Sequence, residues 1–450
     1  MLIDPDTIVA IATPRGAGAV GVVRLSGERV PELLARHLRW RSGRPAASRS
    51  LGRAKFVDEV GAVVDDVLAV HFPAPRSYTG EDVAEIHAHG SPVVLETIVA
   101  SLTGGGVRLA RPGEFTERAF LAGKIDLTQA EAVQALISAR SRDGAALAQR
   151  LVGGELRRRI VALQDAIVEV EAEVEARIDF VEEQLDLAAG GSLAGQLEDL
   201  IGEVDRLLLG YAAARRVLAG IRVVLVGETN AGKSSIFNML LQEDRSIVTP
   251  EAGTTRDYVE VVVEWRGTTV HLVDTAGLRT GMSVAEREGI SRSQNEMARA
   301  DLLLHVIDAS RAAQRPVAAT TLPAVPTLAV WNKIDIGPPS PPLDLELGGE
   351  VQPVCALSGA GIDRVREWVV ATGRGGATHE SLLCVPRQRD AIQRARRALD
   401  AARSGLTADD SPELIAFELR EAQEAFGEVV GTKTSEAVLD AIFSRFCVGK

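Results

Sequence analysis

The sequence predicts a multidomain α/β and α protein: an N-terminal α+β domain, a helical bundle, and a doubly wound parallel module inserted into that bundle. Three observations predict it. An apolar, β-branched run over 221–226 ends at a glycine-containing loop and passes into a helical segment. Ala-, Leu-, Glu- and Arg-rich stretches with few breakers lie on both sides of that module. The first part of the chain mixes short strand-like runs with a helix. The expected boundaries are 1–122, then 123–219 plus 376–450, with 220–375 inserted between them.

At 450 residues the chain is too long for one ordinary domain. It is 46% hydrophobic and 25% charged, the balance of a soluble globular protein. Aromatics make up only 4%, so the core is expected to be aliphatic. A net charge of −12 speaks against gripping nucleic acid through overall charge and leaves room for a local basic patch. Cys355, Cys384 and Cys447 are widely spaced, which matches neither a disulfide framework nor a zinc site. The start carries no basic, then apolar, leader, and no apolar run approaches ~18 residues; a cytoplasmic protein without membrane contact is expected.

Taken in order, residues 7–13 read as a strand stopped by Pro14, and 19–25 as a second. Further strands are expected at 63–72 and 83–87, and a helix at 93–102. Glu81, Glu85, His87 and His89 gather carboxylates and imidazoles. Without further ligands at metal spacing they are read as alternating strand faces and a turn. Arg111-Pro112-Gly113-Glu114-Phe115 is a turn feeding a helix. Beyond it, Ile160, Leu163, Ile167, Val170, Val174 and Ile178 recur at helical spacing. Arg157, Arg158 and Arg159 read as a solvated helix face rather than a phosphate site. Helices are expected again near 388–402, 413–426 and 435–446.

The inserted module carries the chemistry. Gly227, Gly232, Lys233 and Ser234 fill the pattern G-x-x-x-x-G-K-[ST] directly after a strand. Backbone N–H groups of such a loop cradle phosphate oxygens, the lysine reaches the β- and γ-phosphates, and the serine hydroxyl serves Mg²⁺. Downstream, Ala252-Gly253-Thr254-Thr255-Arg256-Asp257 offers a threonine, 254 or 255, to Mg²⁺ and the γ-phosphate. A strand at 270–273 then ends in Asp274-Thr275-Ala276-Gly277, where an aspartate holds Mg²⁺ through water and a glycine N–H senses the γ-phosphate. Buried strands at 302–308 and 328–331 follow, the latter closing with Asn332-Lys333-Ile334-Asp335. A carboxylate at Asp335 accepts from the ring N–H and exocyclic amine of guanine, a donor pair that adenine lacks, so GTP is the expected nucleotide. Cys355-Ala356-Leu357 stands where a Ser-Ala dipeptide commonly supports guanine, and the Ala356 N–H can still serve the guanine oxygen. Leu278 follows Gly277 where many GTPases carry a water-orienting glutamine; Glu286 is the candidate to hold that water instead. Asn230, with its neutral amide oxygen on the loop, suits a bound cation that neutralises developing charge.

These motifs resemble the tRNA-modification GTPase family known as MnmE or TrmE, over nearly the whole chain. The likeness rests on Asn230-Ala231-Gly232-Lys233-Ser234-Ser235, the 252–257 segment, Asp274-Thr275-Ala276-Gly277-Leu278-Arg279, and the run from Arg111 to Leu121. It rests most of all on the ending Phe446-Cys447-Val448-Gly449-Lys450, in which Val448 replaces the usual isoleucine. The resemblance implies a tetrahydrofolate-binding, dimerising N-terminal domain, a helical domain and an inserted Ras-like G domain. It further implies a homodimer whose G domains pair when K⁺ is bound by Asn230, Thr249, Glu251 and Thr254. Mg²⁺ would lie on Ser234 and Thr255, GTP would also touch Pro250, Ala252 and Gly253, and Glu286 would orient water. A 5-formyl- or 5,10-methylene-tetrahydrofolate would contact Arg24, Glu81, Lys124 and Lys450, with Cys447 a candidate for chemistry beside it. The implied activity is joint with MnmG, a flavin-dependent partner, in a heterotetramer. Together they add an aminomethyl or carboxymethylaminomethyl group to the wobble uridine of certain tRNAs. A GTPase switch in ribosome assembly is the competing expectation, since G modules host many tasks.

Overall fold

Alternating apolar and polar residues build the first sheet of the computed structural model, which describes residues 6–103, 106–179, 193–242, 259–274, 296–311, 325–336, 350–376, 380–408 and 410–449. These fall into two compact units. One comprises Met1–Gln134, Arg157–Val161 and Gln423–Lys450; the other comprises Ala135–Leu156 and Ala162–Ala422.

In the first unit, β1 (Thr7–Ile11), β2 (Val20–Ser26), β3 (Leu38–Trp40), β4 (Gly52–Val57), β5 (Val63–Phe72), β6 (Val83–His89) and β7 (Val107–Leu109) form one sheet. Its order is β3-β4-β5-β6-β2-β1-β7, and only the β1–β7 pair is parallel. In β4, Ala54 and Phe56 are buried while Arg53 and Lys55 are exposed, the period-two signature of a sheet with one wet face. Helices Val30–His37 and Pro92–Leu102 cover the dry face, sending Leu33, Leu34, Leu95 and Ile98 against Val23, Leu25, Phe56 and Ile86. Gly21 permits that approach, since a Cβ there would lie 2.4 Å from Leu95 Cδ1. The strands and helix expected in this region match β1, β2, β5, β6 and Pro92–Leu102 within two residues at each end. β3, β4 and β7 are short or interrupted by arginines, which hides their strand pattern from the sequence.

The end of the chain belongs to this unit. Phe443 and Phe446, at and just past helix Glu436–Phe443, pack with Leu127, Ala130 and Phe120. The sequence groups 376–450 with the preceding helices; by compactness Gln423–Lys450 falls in the unit of Met1–Gln134, where Leu439, Phe443 and Phe446 bury against Leu127 and Ala130 of helix Leu127–Ser138.

In the second unit, helices Leu193–Leu209 and Pro386–Ala408 are linked by Arg396 to Asp205 at 3.1 Å. Its sheet contains β8 (Ile221–Gly227), β9 (Val259–Trp265), β10 (Thr268–Asp274), β11 (Leu302–Asp308), β12 (Thr327–Asn332) and β13 (Val351–Pro353). The order is β13-β12-β11-β8-β10-β9, parallel except for the β9–β10 pair. Helices Lys233–Leu241 and Ile362–Arg374 bury Ile236, Phe237, Leu240, Val365 and Val369 against Val223, Leu225, Leu272 and Leu304. This is a doubly wound sheet with β8 at its centre, and such sheets bind ligands outside the carboxyl ends of their strands. Among the described residues, no helix is long and apolar enough to cross a membrane.

A buried charge network holds helix Glu114–Leu121 to the first sheet. Arg118 donates to Glu81 at 3.0 Å, Glu114 at 3.0 Å and Asp6 at 2.7 Å, while Arg108 reaches Glu114 at 2.6 Å and also pairs with Asp6. Burial alone would raise the Glu114 pKa, but Arg108, the Arg111 N–H and Arg118 outweigh it and hold the carboxyl at about 2. A carboxylate depressed in the folded state stabilises the fold above its unfolded pKa and loses that contribution as pH falls through the folded value. The expected contribution is about 3 kcal/mol. Urea unfolding of Glu114→Gln at neutral pH is therefore expected to show most of that loss. Relative to the parent chain, the variant should also lack the extra decline between pH 4.5 and 2.

Candidate functional site

The phosphate loop begins where β8 leaves the core. Gly227 has φ 142°, and a Cβ there would sit 2.2 Å from the Val306 carbonyl oxygen on β11. Asn230 adopts φ 66° and Gly232 φ 97°. A Cβ on Gly232 would come within 2.2 Å of Asn332 Nδ2, so the close crossing of two loops excludes any side chain. Gly232 caps helix Lys233–Leu241, whose first-turn N–H groups and positive dipole end face the loop. An anion is the complement of that geometry. Lys233 Nζ donates to the carbonyls of Gly227 and Glu228 at 2.9 and 2.8 Å, holding the ammonium inside the loop.

Two hard oxygens meet beside it. Ser234 Oγ donates to Asp274 Oδ2 at 2.9 Å, and Asp274 is buried at the end of β10. A hydroxyl and a carboxylate placed together suit Mg²⁺, which takes few protein oxygens and keeps several waters. Among the described residues, no group of three or more His, Cys, Asp or Glu gathers as a metal site of another kind. His71 bonds Asp82 at 2.7 Å, His89 bonds Asp65 at 2.7 Å, and Arg24 binds Glu85 at 2.9 Å.

At the other end of the site, Asn332 is 2% accessible and joins two loops. Its Nδ2 donates to the Ala231 carbonyl at 3.0 Å, and its Oδ1 accepts from the Ala356 N–H at 3.1 Å. Asp335 is exposed, and the buried Cys355 thiol donates to its Oδ1 at 3.3 Å, a support that serine would otherwise supply. Lys333, at φ 67°, donates to the Asn230 carbonyl at 2.9 Å and to Asp308 Oδ2 at 2.6 Å. Burial opposes charge on Asp308, but hydrogen bonds from Lys333 and Ser310 prevail and hold its carboxyl below the usual range. Asp308 is the residue the sequence reading missed. The available signal was its place as the polar last residue of an apolar strand; it pairs in register with Asn332.

The structure thus brings together Asn230, Ala231, Gly232, Lys233, Ser234, Asp274, Asn332, Lys333, Asp335 and Ala356. Ser235 lies on the first turn of the same helix. Thr249, Pro250, Glu251, Ala252, Gly253, Thr254, Thr255, Thr275, Ala276, Gly277 and Glu286 lie outside the described residues, as does Lys450.

A second cluster lies in the first unit. Arg24 donates to the Gly449 carbonyl at 3.3 Å and lies 5.8 Å from the centre of the Phe115 ring. Two residues along β2, Ser26 donates to Glu81 at 2.6 Å. Lys124 donates to the Pro75 carbonyl at 2.6 Å, and its stem lies 3.3 Å from where a Gly80 Cβ would be. Val448 forms a bridge with Pro112, and the Cys447 carbonyl accepts from the Gly113 N–H at 3.4 Å, with the Cys447 side chain exposed. Arg24, Glu81, Lys124 and the 447–449 tail therefore share one edge of the fold.

Comparison with known proteins gives a consistent assignment. A family model described as "MnmE helical domain" matches residues 127–447, and one described as "GTP-binding protein TrmE N-terminus" matches residues 7–124. The tRNA modification GTPase MnmE of Methylococcus capsulatus is 41% identical over 449 residues, 99% of each chain. The protein of that name from Chloroflexus aurantiacus is 41% identical over 459 residues, covering 99% of this chain and 100% of its own. Among solved structures, the FeoB G domain of Methanococcus jannaschii is 25% identical over 34% of this chain and 98% of its own, at a TM-score of 0.26.

The Asp308–Lys333 pair makes a measurable claim. Asp308→Asn removes the charge that fixes Lys333, and GDP affinity by titration calorimetry is expected to fall roughly tenfold, the scale of one charge-assisted hydrogen bond. Unchanged affinity would show that Lys333 is positioned without it.

Proposed function

Because the chain belongs to the MnmE family of tRNA modification GTPases, we propose that its GTP cycle drives one-carbon modification of the wobble uridine in certain tRNAs. The work is shared with a flavin-dependent MnmG partner in a cytoplasmic heterotetramer, and the group added is carboxymethylaminomethyl or aminomethyl. The proposed division of labour assigns 1–122 to folate binding and dimerisation, 123–219 plus 376–450 to the helical frame, and 220–375 to GTP.

One observation carries the reading: the 447–449 tail is bridged to Pro112 and bonded to Arg24, beside Glu81. A ribosome-assembly switch has no use for a second cluster of cations and a carboxylate apart from its nucleotide-binding motifs. A reduced folate does. Its pterin presents an amide and an amine that a carboxylate such as Glu81 can accept from, and its glutamate tail calls for cations such as Arg24, Lys124 and Lys450. Cys447 is the nucleophilic group nearest that edge in sequence.

In the G site, Lys233 and the loop N–H groups bind phosphate oxygens, while Asp335 and Ala356 read guanine. Ser234 and Thr255 would hold Mg²⁺, which supplies charge neutralisation at the β- and γ-phosphates. Asn230 with Thr249, Glu251 and Thr254 would hold K⁺, supporting the pairing of two G domains. Glu286 orients the attacking water in place of the glutamine absent at Leu278, and Thr275, Ala276 and Gly277 follow the γ-phosphate.

Nucleoside analysis of tRNA from cells lacking this chain is the direct test. The modified wobble uridine is expected to disappear, and its persistence would remove the modification reading in favour of the assembly switch. Independently, replacing K⁺ by Na⁺ is expected to slow GTP hydrolysis by at least tenfold without weakening GDP binding. Equal rates in the two salts would discard the cation assignment of Asn230.

A further inference from the structure

A chain of net charge −12 repels an anionic partner unless it concentrates cations locally. It does so along one stretch of the first unit. Between Leu33 and Val57 it carries Arg36, Arg39, Arg41, Arg44, Arg49, Arg53 and Lys55 and not a single Asp or Glu. All of these cations are exposed; Arg36 lies in the last turn of helix Val30–His37, and the others lie on the β3–β4 edge of the first sheet and the loop joining the two strands.

The register sharpens the point. Arg39 stands directly across from Lys55, and the Arg41 N–H donates to the Arg53 carbonyl, extending the pairing past β3. Like charges facing each other across an antiparallel pair destabilise a sheet by a few tenths to about 1 kcal/mol. Among the described residues, the carboxylate paired with them is Asp66 on β5, at 3.7 Å from Arg41 and 3.5 Å from Arg53, with more than half of each arginine side chain still accessible. Protection of a bare edge strand needs charge on that strand alone and gives no reason for a second cationic row behind it.

The surface is also held in shape. Trp40 folds over Gly52, where a Cβ would fall 2.7 Å from its Cζ3 and 2.6 Å from Ala46 Cβ, so the loop is pinned back on β4. Arg39 is committed locally: its Nη1 donates to the Arg36 carbonyl at 2.9 Å, at the C-terminal end of helix Val30–His37. Arg41, Arg44, Arg53 and Lys55 remain pointed at solvent.

We propose that this β3–β4 face is a nucleic-acid docking surface on which Arg41, Arg44, Arg53 and Lys55 contact the phosphate backbone of the tRNA substrate. The proposal rests on the tRNA-modification reading. Alternate residues along a strand are about 6.8 Å apart and adjacent strands about 4.8 Å, so these cations form a patch able to meet several phosphates at once. Such contacts are independent of base sequence and strongly salt-dependent.

The test uses the full-length chain and an unmodified tRNA transcript, with binding followed by anisotropy between 50 and 200 mM salt. Arg41→Gln/Arg44→Gln/Arg53→Gln/Lys55→Gln is expected to lower affinity by 10- to 100-fold at the low end and to reduce the slope of log K against log salt by about 3. Its GTP hydrolysis and melting temperature are expected to match the parent, which establishes that it folds. A control losing the same charge elsewhere, Arg206→Gln/Arg364→Gln/Arg397→Gln/Lys433→Gln, is expected to keep the parent slope. Parent-like affinity and slope in the β3–β4 variant would overturn the proposal, as would equal losses in the control. Loss of association with the flavin-dependent partner at unchanged tRNA affinity would also overturn it, by making the face a protein contact. If the wobble uridine instead persists in cells lacking the chain, the modification reading itself has failed, whatever the anisotropy shows.

Discussion

One buried amide holds the nucleotide site together. Asn332 spends its donor on the phosphate loop, at Ala231, and its acceptor on the base-reading loop, at Ala356. At 2% accessibility it has no water to fall back on, and an orphaned partner costs about 1–3 kcal/mol. The two loops therefore take up their positions together or not at all. Gly232 is the other half of this constraint. Its missing side chain leaves the space the Asn332 amide fills, so a phosphate signature and a base signature 100 residues apart are one interlocking contact.

The sheet makes that contact rigid. β8, β11 and β12 are parallel neighbours in fixed register, and their ends deliver Gly227, Asp308 and Asn332 to the same edge. Lys333 fastens the arrangement from outside by bonding the Asn230 carbonyl and the Asp308 carboxylate together. The ends of the parallel strands form a cradle whose loops are tied to one another by hydrogen bonds.

Much of this was legible in sequence, for a definable reason. Phosphate loops and guanine readers depend on particular residue types at fixed local spacing, and a linear string displays local spacing directly. Strand runs such as 221–226 and 302–308 are legible because both faces are largely buried, giving mostly apolar stretches broken only by Arg222, His305 and the terminal Asp308. Asp308 was not legible, since its role exists only through register with a strand two dozen residues on. β3 and β4 hid for another reason: arginines at alternate positions read as a charged loop until pairing shows that they share one face. Helical periodicity says which face of a helix is apolar but not which surface it will cover.

The described part of the site accounts for holding a guanine nucleotide, and hydrolysis asks for more. Catalysis needs contacts stronger in the transition state than in the ground state. The candidates for those contacts, Thr254, Thr255, Gly277 and Glu286, lie outside the described residues, which resume at β9 and stop at the end of β10. β9 begins at Val259 and β10 ends at Asp274, and these residues face each other in the antiparallel register. Val259 and Asp274 are therefore neighbours at one end of a hairpin. Asp274 also accepts from Ser234, so anything that draws these two oxygens toward a cation bears on that hairpin end first. The hairpin's opposite end is fastened: Arg374 donates to the Arg266 carbonyl at 2.7 Å and to Thr268 Oγ1 at 2.8 Å, and it pairs with Asp143. The two strands of this hairpin therefore run from a turn anchored by Arg374 to an end bonded to the phosphate loop through Ser234.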